Sequence, residues 1–491
     1  MNVSDSVPAA APESAKQAIP KIPTHIRGLD AILHGGLPKD RTILFSGGPG
    51  TGKTLLAMEF LYRSALAGEP GLFISFEEQA EDIRANVLSI GLDPGNLEKA
   101  GKMKVLHFQI PHGAVRAGDF NIQGLLTLIK GNLNALGATT IVLDALDVLM
   151  RVFNDPERER EEMYILNSWL REQSLTAILT VKSMAGKKPS YSFLDFMADC
   201  IISLDQRITE QVRTRRLNVV KYRGSGFLSN EHPYVISPHG VVLMPVSAVS
   251  LEFPAGKKRI STGNTIFDKI IGGGFFQGAS ILLAGPSGSG KTTLAVTFTR
   301  AACNRGEKTL FISFEESREV LVFRSKNIGI DLQQDVDADR LRFLTLLPET
   351  AGVEQHLLWI SDAIDAFGPD HLVVDTISAC RRMGSRSAVF DLLLRLVVIC
   401  RQKEITCLYT NQIDVMPEVT HISGLKISSV VDTLAALYYQ DDGTKICRRL
   451  LVVKSRGSNH SMKYHPFVIT GQGIDMAFSD NNGEQIKNQE G

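Results

Sequence analysis

The sequence predicts an α/β protein in which one fold is built twice, each copy a mainly parallel sheet flanked by helices. Three observations predict it. Short apolar, β-branched runs alternate with longer segments of helical spacing. Those runs lack polar alternation, the pattern of strands covered on both faces of a parallel sheet. The pattern also repeats: FISFEE stands verbatim at 73–78 and again at 311–316.

Composition bounds the answer. With 491 residues, 44% of them hydrophobic, the chain is long enough for two to four domains with sizeable cores. Lys+Arg and Asp+Glu are equal at 53 each, so the formal net charge is zero. A broad basic face for nucleic acid is therefore not expected. The six cysteines form no CxxC pair, and several lie in apolar runs such as LLLRLVVIC. They read as buried, reduced thiols of a cytoplasmic protein. Residues 1–20 have scattered Pro and no signal-peptide core, and read as a disordered tail. No apolar run is long enough to span a bilayer, so no membrane partner is expected.

The repeat can be measured. Lys53 and Lys291 are 238 apart (291 − 53), as are Glu77 and Glu315 (315 − 77). Asp144 and Asp375 are 231 apart (375 − 144), and Lys221 and Lys454 are 233 apart (454 − 221). The first copy therefore gains seven residues (238 − 231), placed most simply in PHGAVRAGDFN at 111–121. Pro, Gly and a basic cluster break the pattern in 244–262. The expected domains are 21–247 and 248–475, with a short tail at 476–491.

Within a copy, TILFSG, GLFISF, MKVLHF, TIVLDA and TAILTV read as buried strands. GKTLLAMEFLYRSALA and EEMYILNSWLREQ read as helices. Between the first strand and the first helix stands G-x-x-x-x-G-K-[ST]. It occupies Gly47, Gly48, Pro49, Gly50, Thr51, Gly52, Lys53 and Thr54, and again Gly285, Pro286, Ser287, Gly288, Ser289, Gly290, Lys291 and Thr292. Strand before and helix after are the context of a phosphate-binding P-loop. The glycines let successive N–H groups face one anion, and the helix N-terminus adds positive potential. Lys53 and Lys291 are expected on the β- and γ-phosphates of ATP, with the hydroxyls of Thr54 and Thr292 on Mg²⁺.

IVLD and LVVD are strands that end in an acid. Asp144 and Asp375 are the expected second support of the metal. FISF is also a strand, so Glu77, Glu78, Glu315 and Glu316 emerge at its C-terminal end, where open α/β sheets place ligands. The lysine-to-glutamate interval is 24 residues in both copies (77 − 53 and 315 − 291). A carboxylate there is a candidate general base for water or a hydroxyl. The plain alternative is that acids start the next helix; the verbatim repeat favours the catalytic reading. Near each copy's end, KYRGSG and KSRGSN put Lys221 with Arg223 and Lys454 with Arg456 two residues apart. These pairs are open to two readings, a phosphate contact or a solvated edge strand.

These motifs resemble the KaiC family, tandem RecA-like ATPases and autokinases, over nearly all of 22–475. The doubled FEE, GGGFF before the second cradle, KxRGS in both copies and YTNQID at 409–414 carry the likeness. The resemblance implies two tandem RecA-like P-loop domains, a double-ringed homohexamer and ATP bound between subunits. Lys221, Arg223, Lys454 and Arg456 would then act in trans. It implies phosphorylation in HISGLKISSVVDT (421–433), where the hydroxyl pair falls on Ser428 and Ser429, with serine standing where the family has threonine second. Glu315 would be the base, and Arg382 would face an acceptor of an adjacent subunit. A KaiB-like partner is compatible with the likeness. A KaiA-type activator is not expected, because only 476–491 follows the last matching segment. Two other functions share the fold: a RecA- or DnaB-like DNA motor, disfavoured by the zero net charge, and a nucleotide-gated scaffold with little turnover.

Overall fold

The computed structural model describes residues 19–110, 122–153, 155–183, 192–209, 212–245, 258–413, 429–441, 443–479 and 485–486. These form two compact units, the first from residues before 249 apart from Ile208–Arg213, the second from the rest. Each unit is a nine-stranded, mainly parallel sheet with helices on both faces.

In the first unit the strands are β1 (Thr42–Gly47), β2 (Gly71–Ser75), β3 (Met103–His107), β4 (Thr140–Asp144), β5 (Thr176–Lys182), β6 (Cys200–Thr209), β7 (Val212–Tyr222), β8 (His232–Ser237) and β9 (Gly240–Leu243). Their order across the sheet is β9-β8-β7-β6-β1-β5-β4-β2-β3. The pairs from β6 through β1, β5, β4 and β2 to β3 are parallel. The far edge is antiparallel. In the second unit β10 (Ser280–Gly285), β11 (Thr309–Ser313), β12 (Leu341–Thr345), β13 (His371–Asp375), β14 (Thr406–Gln412), β15 (Thr433–Asp441), β16 (Ile446–Ser455), β17 (His465–Thr470) and β18 (Gly473–Met476) repeat that order.

The sheet explains the missing polar alternation. Ile43, Phe45, Phe73 and Ile178 point into one core. Leu44, Leu72, Ile74 and Leu179 point into another on the opposite face. Successive side chains of a strand alternate faces, and here both faces are dry. Helix α1 (Lys53–Leu66) covers the first face with Leu56, Phe60 and Leu61. Helices α3 (Ile122–Leu136) and α4 (Pro156–Glu172) cover the other with Leu125, Ile129, Leu166 and Leu170. Between them in sequence, α2 (Ala80–Leu88) follows the FEE acids. The matching helices are α5 (Lys291–Asn304), α6 (Arg318–Asn327), α7 (Val353–Phe367) and α8 (Arg386–Gln402).

Strand β3 and β12 start 238 apart (341 − 103), whereas α3 and α7 start 231 apart (353 − 122). The seven extra residues thus fall between strand and helix; 111–121 itself lies outside the described residues. Helix α4 begins five residues before the predicted stretch (161 − 156). The side chain of Asp155 caps it, accepting from the N–H of Glu157, and Pro156 fits the first turn. All six cysteines are free thiols, five buried and Cys447 partly so.

Phe298 anchors the second unit's α5, edge-on to Phe275 at 6.0 Å and to His371 at 5.2 Å between ring centroids. Phe298→Ala is expected to cost about 3–5 kcal/mol of stability. Chemical denaturation followed by the second unit's unfolding transition measures it; a loss within about 1 kcal/mol means that the cavity collapses.

Candidate functional site: two phosphate cradles

Each cradle is made where β1 or β10 gives way to a helix. Gly52 and Gly290 have left-handed backbones, with φ +85° and +103°. Neither helix has a side-chain N-cap, so its first N–H groups face the loop unpartnered by a cap. Lys53 Nζ donates to the carbonyls of Gly47 and Gly48 at 2.8 and 3.0 Å. Lys291 does the same to Gly285 and Pro286 at 2.9 and 2.8 Å. Burial pushes both ammonium groups down from the usual lysine range, and Asp144 or Asp375 pulls back. An anionic ligand would restore what burial removes.

The ends of β4 and β13 bring the acids in. Thr54 Oγ1 donates to Asp144 at 3.0 Å, and Thr292 Oγ1 donates to Asp375 at 2.9 Å. A second hydroxyl, missed by sequence reasoning, completes each: Thr180 on Asp144 and Thr410 on Asp375. The signal was present, since TAILTVK and TCLYTNQ both carry Thr at the fifth position. Burial raises both aspartates above the ordinary carboxylate range, and the threonine hydrogen bonds oppose it. The paired hydroxyl and carboxylate are hard oxygen donors suited to Mg²⁺. Among the described residues there is no cluster of three or more His, Cys, Asp or Glu able to cage a metal. A magnesium ion here would share its shell with phosphate and water, its usual habit.

Glu77 and Glu315 follow β2 and β11, whose last residues pair with Asp144 and Asp375. All four FEE acids therefore stand at the cradle end of their sheets, before α2 and α6 rather than within them. Their partners differ. Glu77 pairs with Lys182, Nζ to Oε1 2.7 Å, and Glu78 accepts from Asn86 at 3.2 Å. Glu316 pairs with Arg324, which stands where Asn86 does (324 − 86 = 238). Desolvation raises the carboxyl of Glu315, Asp375 adds to it, and Arg382 and Lys291 oppose. Arg382 itself pairs with Glu349 at 2.8 Å. In the first unit, clefts of about 410 and 240 Å³ flank the cradle. The larger is lined by Gly48, Gln206, Arg216 and Asn218, the smaller by Lys53, Thr54 and Glu78.

The structure does not bring Lys221, Arg223, Lys454 or Arg456 to their own unit's cradle. Strand β7 runs back along the sheet, so its end meets the start of β1: Asp199 donates its N–H to Thr42 O, and Arg223 donates to Asp199 O, both at 2.8 Å. Strand β1 is six residues long, and at about 3.3 Å per residue the cradle lies roughly 20 Å away. Each arginine sits one residue beyond Tyr222 or Ser455, the strand end, rather than within the strand. Lys221 donates to Asp195 O at 2.5 Å and Arg223 to Phe196 O at 2.9 Å. Lys454 donates to Val431 O at 2.6 Å and Arg456 to Ser429 O at 3.1 Å. Ser429 is thus exposed beside the second unit's cations, while Ser428 lies outside the described residues.

A phosphate cradle, its lysine, a strand-end aspartate and a pair of acids, all at one sheet end and present twice, define a tandem RecA-like P-loop ATPase. The family described as "ATPase: KaiC" matches residues 22–248 and 260–480. A relative titled "Circadian clock protein KaiC2" from Synechocystis sp. is 34% identical over 463 residues, covering 93% of this chain and 81% of that protein. "Circadian clock oscillator protein KaiC" from Thermosynechococcus vestitus is 33% identical over 478 residues, 96% and 92% of the two chains. The protein of the same title from Synechococcus elongatus is 32% identical over 477 residues, again 96% and 92%. The chain belongs to the KaiC ATPase family, and binding of nucleotide comes with that membership. Among the described residues no helix is long and apolar enough to cross a membrane.

The left-handed glycines supply a test. A Cβ on Gly52 would lie 3.0 Å from Ile236 Cδ1, and one on Gly290 3.2 Å from Phe467 Cε2. The free loop of each alanine variant is expected to relax out of the left-handed form, and restoring it on binding costs about 1–2 kcal/mol, an affinity loss of about 5- to 30-fold. Titration of Gly52→Ala and Gly290→Ala with a fluorescent ATP analogue reads it. Unchanged affinity in both would mean that the loops do not hold the phosphates.

Proposed function

We propose that this chain is an ATP-hydrolysing, self-phosphorylating regulatory ATPase that works as a homohexamer in the cytoplasm. One observation carries the reading: in each unit the cradle and the KxRGS cations occupy opposite ends of one sheet. A neighbouring copy that presents its cation end to the cradle end completes the site. In the second unit the same end carries Ser429, so one neighbour supplies both cations and acceptor.

The chemistry follows from the residues. The glycine loop and Lys53 or Lys291 hold the β- and γ-phosphates in line. Thr54 with Asp144, or Thr292 with Asp375, would hold a magnesium ion, which would supply positive charge against that of the phosphates. In the first unit Glu77 and Glu78 orient water and take its proton. In the second, Glu315 takes the proton from Ser428 or Ser429, and the serine oxygen bonds to γ-phosphorus as ADP leaves. Lys454 and Arg456 of the neighbour stabilise the developing charge, a contribution of about 10³–10⁵ in rate for trans arginines. The relatives' titles name clock proteins, so a timing or signalling role is the reading they favour, with a KaiB-like protein as partner class.

Mixing variants tests trans transfer. Lys291→Ala disables the second cradle but keeps the serines; Ser428→Ala with Ser429→Ala does the reverse. With labelled ATP and Mg²⁺ neither chain takes up label alone, whereas the mixture labels the Lys291→Ala chain. Sedimentation with ATP·Mg²⁺ shows a hexamer. An unlabelled mixture, a persistent monomer, or label that survives the double alanine change overturns the reading.

The raised carboxyl of Glu315 gives a pH dependence. A raised pKa means that the base form is lost at higher pH on acidification. Labelling therefore falls as pH drops through a value above 4.5, the ordinary position of the group. Glu315→Gln leaves a small residual label without that acid limb. A limb at or below 4.5 in the parent chain removes Glu315 from the role.

A further inference from the structure

The first cradle has a cation that the second lacks. Lys182, the last residue of β5, donates from Nζ to both oxygens of Glu77, at 2.7 and 2.9 Å. It lies in register with Gly47, the first residue of the cradle. In the second unit Gln412 holds that register against Gly285. Lys182 is fixed at its root: its N–H donates to the fully buried carboxylate of Asp147 at 3.2 Å. The next N–H, of Ser183, donates to Gly47 O at 3.1 Å. That carbonyl also accepts from Lys53 Nζ at 2.8 Å.

Two lysines thus stand at one cradle mouth. Neighbouring cations of this kind favour an anion between them. Glu77 is the anion that the chain itself supplies. The terminal phosphate of ATP is a stronger one, with more charge and three acceptor oxygens. The Lys182–Glu77 pair is partly exposed, at 37% and 47%, so its exchange for another anion costs little.

We propose that Lys182 is a second phosphate-binding lysine of the first site, exchanging between Glu77 and the γ-phosphate of a nucleoside triphosphate. This rests on the reading of that site as an ATPase centre. The exchange releases Glu77 when triphosphate is bound. The water oxygen then bonds to γ-phosphorus, the bond from γ-phosphorus to the bridging oxygen breaks, and Glu77 takes the proton. Lys182 stays protonated throughout. ADP has no γ-phosphate, so Lys182 discriminates triphosphate from diphosphate in the first unit and not in the second.

The test is equilibrium binding of ADP and of a non-hydrolysable ATP analogue, with Mg²⁺. The full-length chain carries Lys291→Ala, so that only first-unit sites are read. Lys182→Gln, which copies the second unit's residue, lowers analogue affinity about tenfold and leaves ADP within about twofold. Lys182→Arg restores the analogue. Glu77→Gln frees the lysine and raises analogue affinity about threefold, a gain absent when Lys182→Gln is added. Equal losses for both nucleotides, or an unchanged analogue affinity, overturn the proposal. Hydrolysis is read separately, in Glu77→Gln with Glu78→Gln. Unchanged turnover there sinks the role of the acids, while the binding data still decide the role of the lysine.

Discussion

The rest of each site hangs on one buried carboxylate. Asp144 and Asp375 end their strands almost wholly shielded from water, at 3% and 9% exposure. A carboxylate in such a place is costly unless its oxygens are satisfied. Two threonine hydroxyls do this, one from the helix that follows the cradle and one from the adjacent strand. The three groups pin together helix α1, strand β4 and strand β5, or α5, β13 and β14. A divalent cation bound there would favour the charged form that burial disfavours.

That constraint needs a particular sheet order. Strand β2 lies beyond β4, and β5 separates β4 from β1. The chain leaves β1, turns through the cradle, and crosses over β5 and β4 before it re-enters at β2. The FEE acids then emerge next to Asp144, not next to the glycines. Phe76 donates its N–H to Asp144 O at 2.8 Å, and Phe314 to Asp375 O at 2.9 Å. The aromatic residue before the acids thus fixes their point of departure. The antiparallel return of β7 and β16 has the opposite consequence, carrying the KxRGS cations to the far end of the sheet.

Much of this was legible in the sequence because it rests on local chemistry. The cradle announces itself through glycines that must adopt left-handed backbones before a helix. Buried strands show as unbroken β-branched runs because both faces are covered. The seven-residue offset even located the insertion between β3 and α3. What could not be read are contacts across the sheet between residues far apart in sequence. Lys182 is separated from Glu77 by 105 residues. No spacing rule connects them; only strand order does. The start of α4 was missed for a different reason: its first turn, PERER, is polar, so apolar periodicity could not report it.

Duplication produced two sites alike in backbone and unlike in charge. Lys182 answers to Gln412, and Asn86 answers to Arg324. The cation consequently sits on the first acid in one unit and on the second acid in the other. Side chains alone have moved it, because the strands that present the acids keep the same register with their neighbours. Among the described residues no cation forms a salt bridge with Glu315, and desolvation raises its carboxyl. The same loop, strand and helix thus surround their acids with different charge, a difference set by the side chains at 182 and 412 and at 86 and 324.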